Sequence, residues 1–90
     1  MDVTVEISLH PLRADYEEIV IDCIAHLKKR QGIELIVNPT ATHVYGPIDV
    51  VFDALKQEVS RTFKTYGKSV FVLKILNGNL KDSLMDKNLY

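Results

Sequence analysis

Apolar residues fall at every second position of the opening segment, Val3, Val5, Ile7 and Leu9, with Asp2, Thr4, Glu6 and Ser8 between them. Such alternation puts successive side chains on opposite faces of an extended chain, which predicts a strand with one buried face. Pro11 ends it, because proline has no N–H to give to a ladder. From Asp15 the period lengthens. Tyr16, Ile19, Val20, Cys23, Ile24 and Leu27 recur at helical spacing, Asp15 and Glu18 read as a capping box, and Gly32 is a stop signal, so a helix is predicted over residues 15–30. Residues 33–37 form a second apolar run, Asn38-Pro39 is a turn, and residues 42–45 make a third strand too close to the second for anything but an antiparallel hairpin. A second helix follows, with Pro47 suited to its first position, Ile48, Val51, Phe52, Leu55, Val59 and Phe63 as its apolar stripe, and Gly67 at its far end. Residues 70–76 read as a mostly buried fourth strand.

The order strand, helix, strand, strand, helix, strand predicts an α+β, ferredoxin-like βαββαβ sandwich: a four-stranded antiparallel sheet with two helices on one face. In the spatial order four, one, three, two, strands one and three are neighbours. That brings residues 8–10 beside Thr42 and His43. Residues 1–76 are expected to form this single domain. Residues 77–90 are expected to be a partly disordered tail, polar apart from Leu80, Leu84, Met85 and Leu89. A chain of 90 residues buries a modest core, and one sheet face is left without helices, so association into a homodimer or homotetramer through that face is expected. Thr4, His43 and Tyr45 should lie at or near it.

Charge narrows the functional classes. Eleven Lys and Arg stand against 12 Asp and Glu, without the basic excess of a nucleic-acid partner, and Lys28-Lys29-Arg30 sits where cations favour a helix C-terminus. There is no basic and apolar leader and no run of about 18 apolar residues, which leads to an expectation of a cytoplasmic chain with no membrane partner. Cys23 is the only cysteine and lies on an apolar helical stripe, where a thiol is buried and unreactive. No serine elbow, phosphate loop or zinc-binding helix motif is present, so no enzyme, metal site or cofactor is expected.

Two segments, Ser8-Leu9-His10-Pro11-Leu12 and Thr42-His43-Val44-Tyr45-Gly46-Pro47-Ile48-Asp49-Val50-Val51-Phe52-Asp53, resemble the YkoF-like family of thiamin and hydroxymethylpyrimidine-binding domains. The Ile-Asp-x-Val-Phe-Asp run is the sharpest element, and the resemblance extends to about residue 76. It implies non-enzymatic binding of thiamin or its hydroxymethylpyrimidine moiety in a pocket at the end of the sheet. Ser8, Leu9 and Thr42 would line that pocket, with Phe52 as wall and Asp49 as polar anchor. Each has a plainer reading: Ser8 and Thr42 as strand-edge residues, Leu9 and Phe52 as core, Asp49 as a carboxylate favoured at a helix N-terminus. His10 and His43, which the expected sheet places near one another, would sit with Tyr45 at the pocket mouth or a subunit interface. The alternative function is an oligomeric ferredoxin-like interaction or regulatory module with a different small-molecule ligand.

Overall fold

The computed structural model of the chain describes residues 1–81. The alternating opening segment becomes β1 (Asp2–Pro11), followed by α1 (Tyr16–Lys28), β2 (Glu34–Val37), β3 (Thr42–Pro47), α2 (Ile48–Tyr66) and β4 (Ser69–Asn77). All pairings are antiparallel, and the strand order is β2-β3-β1-β4. This is the ferredoxin-like α+β fold. Among the described residues, no helix is long and apolar enough to cross a membrane.

Because β1 is central, its inward residues meet partners from every layer. Val3, Val5 and Ile7 lie on the face shared with Val44, and they pack in one cluster with Cys23 and Leu27 of α1 and Val51 and Leu55 of α2. Val5, Val44 and Val51 are fully buried. Each side chain of this size contributes roughly 1.5 to 3 kcal/mol when taken fully out of water. Gly46 lets the 32–33 loop close over this cluster: a Cβ there would stand 2.9 Å from the Gly32 carbonyl oxygen, which no L side chain tolerates. At the other end of α2, Gly67 has a φ of +79° and donates its N–H to the Phe63 carbonyl at 3.0 Å, turning the chain back into β4.

Three details depart from the sequence pattern. The capping box at Asp15 does not form, because Arg13 takes the Asp15 carboxylate through Nε at 2.9 Å and Nη2 at 3.1 Å. The buried face of α2 runs through Val51, Ala54, Leu55, Glu58 and Thr62, whereas Phe52 and Phe63 are exposed, so Phe52 is not a core residue. And the helix-free sheet face is partly covered by the chain itself. Thr4 donates from Oγ1 to the Gly78 carbonyl at 2.8 Å and accepts the Leu80 N–H at 2.9 Å, while Lys81 pairs with Glu34. Thr4 and Tyr45 do lie on that face and are buried there. Residues 77–81 are thus part of the packed domain; the remainder of the expected tail lies outside the described residues.

Between the helices lies a polar cluster that accounts for the facing of α2. Glu58 is fully buried, and its Oε1 accepts Arg61 Nε at 3.0 Å and Nη2 at 2.5 Å. Arg61 also reaches Asp22 of α1, Nη1 to Oδ2 at 3.0 Å, and the Tyr66 hydroxyl donates to the same Asp22 oxygen at 2.8 Å. His26 donates from Nδ1 to the Asp22 carbonyl at 2.9 Å. The Tyr66 hydroxyl, and after it the Arg61 guanidinium, hold the Asp22 carboxyl below the usual carboxylate range against the opposing effect of burial. A folded-state pKa below the unfolded value gives stability that is present above about pH 4 and lost as pH falls through the folded value. Asp22→Asn should therefore be less stable than the wild type at neutral pH. The two melting temperatures should converge in acid, as a series of thermal melts from pH 7 to pH 2 will read.

Candidate ligand-binding cavity

The register of β1 creates the site. Its pairing with β3 runs from Asp2↔Pro47 to Ile7↔Thr42, but its pairing with β4 continues through Ser8↔Val72, Leu9↔Phe71 and His10↔Val70 to Pro11↔Ser69. Beyond Ile7 the β3 side of β1 therefore has no strand against it. The chain turns away at 38–41, where the Asn38 N–H donates to the Ala41 carbonyl at 2.9 Å, and α1 begins on the helix side of the gap. The result is an open cleft of about 790 Å³ between the end of β1, the 38–41 turn and one face of α1 from Tyr16 to Leu27. Its size lies within the range of small-molecule sites, roughly 300 to 1,000 Å³.

The lining is mainly apolar. Ile7, Leu9, Val20, Ile24 and Leu27 form much of it, with Tyr16, Thr40 and Thr42 supplying hydroxyls. Glu17 is the one carboxylate, and no lysine or arginine is present among the lining residues. Such a cleft suits a neutral or cationic planar ligand, which can stack on aliphatic walls while fixed donors and acceptors meet its heteroatoms. Cys23 also reaches the wall, but burial first, and then the charge of Glu58, push its thiol up to about 12, so it stays protonated and inert at neutral pH.

Of the residues singled out from the sequence, Ser8, Leu9, Thr42 and His10 line this cleft. Leu9 is half-buried and faces the helices, whereas Thr42 is the last β3 residue paired with β1 and is 6% exposed. Strand alternation places the Ser8 side chain on the opposite sheet face, where its Oγ lies 3.1 Å from His10 Nε2; Ser8 faces the cleft through its backbone. Asp49 and Phe52 do not line it. The Asp2↔Pro47 pairing puts the start of α2 at the end of the sheet where β1 begins, and both side chains are exposed there. His10 and His43 are not neighbours either: His43 stands opposite Glu6 and accepts from Asn38 Nδ2 at 2.9 Å through Nδ1. With Tyr45 it lines a second, smaller cavity of about 570 Å³ on the other sheet face, next to Leu80. No three metal-ligating side chains converge among the described residues.

The α1 wall and the 38–41 turn were not among the predicted site residues. Tyr16, Val20 and Ile24 carry a faint signal: with Ile19, Cys23 and Leu27 they make the apolar stripe of α1 wider than the buried positions Ile19, Cys23 and Leu27 require.

Comparison with known proteins yields a family model, the YKOF-related family, that matches residues 2–79. No curated protein matches the chain. Among solved structures, a candidate thiamine biosynthesis/salvage protein from Thermotoga maritima has a TM-score of 0.83 at 20% identity, covering 97% of this chain and 99% of that one. A Streptococcus pneumoniae protein has a TM-score of 0.82 at 21% identity with both chains covered in full. A Methanocaldococcus jannascii protein has a TM-score of 0.77 at 26% identity, covering 98% of this chain and 92% of its own.

Proposed function

This chain belongs to the YKOF-related family, and from that membership together with the cleft at the end of β1 we propose that it is a cytoplasmic, non-enzymatic, homo-oligomeric protein that binds thiamin or its hydroxymethylpyrimidine moiety. The observation that carries the reading is the stretch of β1 left unpaired on its β3 side, from Ser8 onward, beside an apolar wall. Backbone N–H and C=O groups along such an edge can meet the amino group and ring nitrogens of a pyrimidine, while Val20, Ile24 and Leu9 flank its faces. Glu17, alone among the lining residues in carrying a fixed charge, favours the cationic thiazolium ring. The absence of lysine and arginine from the lining disfavours a diphosphate. The inert Cys23 thiol supplies no nucleophile. The likeness to the Thermotoga maritima protein is consistent with a thiamin-related ligand.

Calorimetric titration with thiamin, hydroxymethylpyrimidine, thiamin diphosphate and uracil tests this reading. Binding of the first two, weaker binding of the diphosphate and none of uracil is the expected pattern. No heat with either thiamin or hydroxymethylpyrimidine would instead favour the second reading, an interaction or regulatory module with a different ligand. The exposed apolar strand β4 is the observation that keeps that reading in view.

A further inference from the structure

On the helix-free face of the sheet, the antiparallel registers set Ile36, His43, Glu6 and Lys74 side by side in one row across β2, β3, β1 and β4. The next row, Tyr45, Thr4 and Leu76, lies under the 78–81 segment that the Thr4 hydroxyl clips to the sheet. Leu80 of that segment is a wall of the cavity of about 570 Å³ that the two rows line. Neighbouring strands stand about 4.8 Å apart, so the first row brings an aromatic ring, a carboxylate and an ammonium within reach of one small molecule. Lys74 Nζ and Glu6 Oε2 are 3.4 Å apart, with the Lys74 side chain 69% exposed, a loose pair that leaves both groups with hydrogen-bonding capacity to spare. Lys81 also lines the cavity, but its ammonium is paired with Glu34 at the sheet edge. Asn38 holds the His43 ring through Nδ1, and the Tyr45 ring lies beside it, with centroids 6.4 Å apart.

We infer that this cavity is a second small-molecule site, for an α-amino acid with an apolar or aromatic side chain. The order of the row sets the pose. The ligand carboxylate pairs with Lys74 on β4, its ammonium with Glu6 on β1, and its side chain lies toward the rings of His43 and Tyr45 on β3, against Leu80. A simple anion would face the Glu6 carboxylate, and a simple cation would face the Lys74 ammonium. A zwitterion meets both with the opposite sign. The volume lies within the range of small-molecule sites, and the mixture of apolar walls with a few fixed polar groups is the usual make-up of one. The site is on the opposite face of the sheet from the cleft and does not depend on what the cleft binds.

Phenylalanine, phenylpropanoate and phenethylamine share a ring and differ in charge, so calorimetric titration of the full chain with all three tests the match. Phenylalanine should bind, and each singly charged analogue should bind at least roughly ten-fold more weakly, because it lacks one charge-assisted bond. Glu6→Gln should weaken phenylalanine roughly ten-fold and leave phenylpropanoate no weaker. Lys74→Met should weaken phenylalanine by a similar factor and leave phenethylamine no weaker. Circular dichroism of both variants confirms that the fold persists, as expected for side chains at partly exposed strand positions. In nuclear magnetic resonance spectra, phenylalanine should shift the amides of Glu6, His43, Lys74 and Leu80 and spare those of Val20 and Ile24 in the cleft. No binding of phenylalanine at millimolar concentration overturns the proposal. So does equal binding of phenylpropanoate or of phenethylamine, which would make the cavity a site for an anion or for a cation, and so do shifts confined to the cleft.

Discussion

Replacing Arg61 with alanine is expected to cost about 3 kcal/mol of stability, the low end for breaking a buried ion pair, because the Arg61 side chain keeps 27% of its exposure. In a domain of this size that is a fall in melting temperature on the order of 15 °C. The reason lies in what is left behind. Glu58 is fully buried, Arg61 supplies both bonds to its Oε1, and its Oε2 has no hydrogen-bond partner. Without the guanidinium, a fully buried carboxylate is left without its partner, which costs free energy. Asp22 loses a cation at the same time. The double variant Glu58→Met with Arg61→Met removes both charges while keeping side-chain volume, and should recover most of the lost stability or exceed the wild type. Thermal and urea unfolding of the two variants separates these outcomes. A cost below about 1 kcal/mol for Arg61→Ala would mean that Glu58 does not depend on its partner.

The same cluster explains where the sequence stops being readable. Element order and type could be read because each element carries a period of its own: two along β1, helical along α1 and α2. The facing of α2 could not. The predicted stripe Ile48, Val51, Phe52, Leu55, Val59 and Phe63 and the buried face Val51, Ala54, Leu55, Glu58 and Thr62 share only Val51 and Leu55; both are compatible with a helix, and hydrophobicity favours the first. The protein buries the second, because Arg61 joins Glu58 to Asp22 on the other helix, a contact between residues far apart in sequence. The site divides the same way. Ser8, Leu9 and Thr42 come together because antiparallel pairing of β1 and β3 sets the end of one beside the start of the other. Asp49 and Phe52 follow the far end of β3, so the topology itself carries them to the opposite end of the sheet. The gap that makes the cleft depends on β3 ending its pairing at Thr42 while β4 continues along β1, a difference in register that periodicity does not encode.

Thr42→Val is expected to weaken binding of the pyrimidine by roughly five-fold to a hundred-fold while leaving the fold intact. Valine keeps the branched shape and the strand preference, and at the last rung of the β1–β3 ladder the backbone pairing with Ile7 is untouched. Only the hydroxyl is lost, from a side chain 6% exposed at the wall of the cleft. A hydrogen bond to a buried ring nitrogen or amine contributes about 1 kcal/mol net, and a ligand group left without its partner costs about 1 to 3 kcal/mol, which sets the range. Phe52→Ala is the matching control. Its side chain lies at the other end of the sheet and should leave affinity unchanged, although the resemblance to the YkoF-like family casts it as a pocket wall. Calorimetry with hydroxymethylpyrimidine on wild type and both variants distinguishes three results. Loss at Thr42 alone places the ligand in the cleft, and loss at Phe52 alone places it at the start of α2. Equal affinity in all three proteins shifts recognition from the Thr42 hydroxyl to the unpaired backbone edge of β1, where side-chain substitution has little leverage.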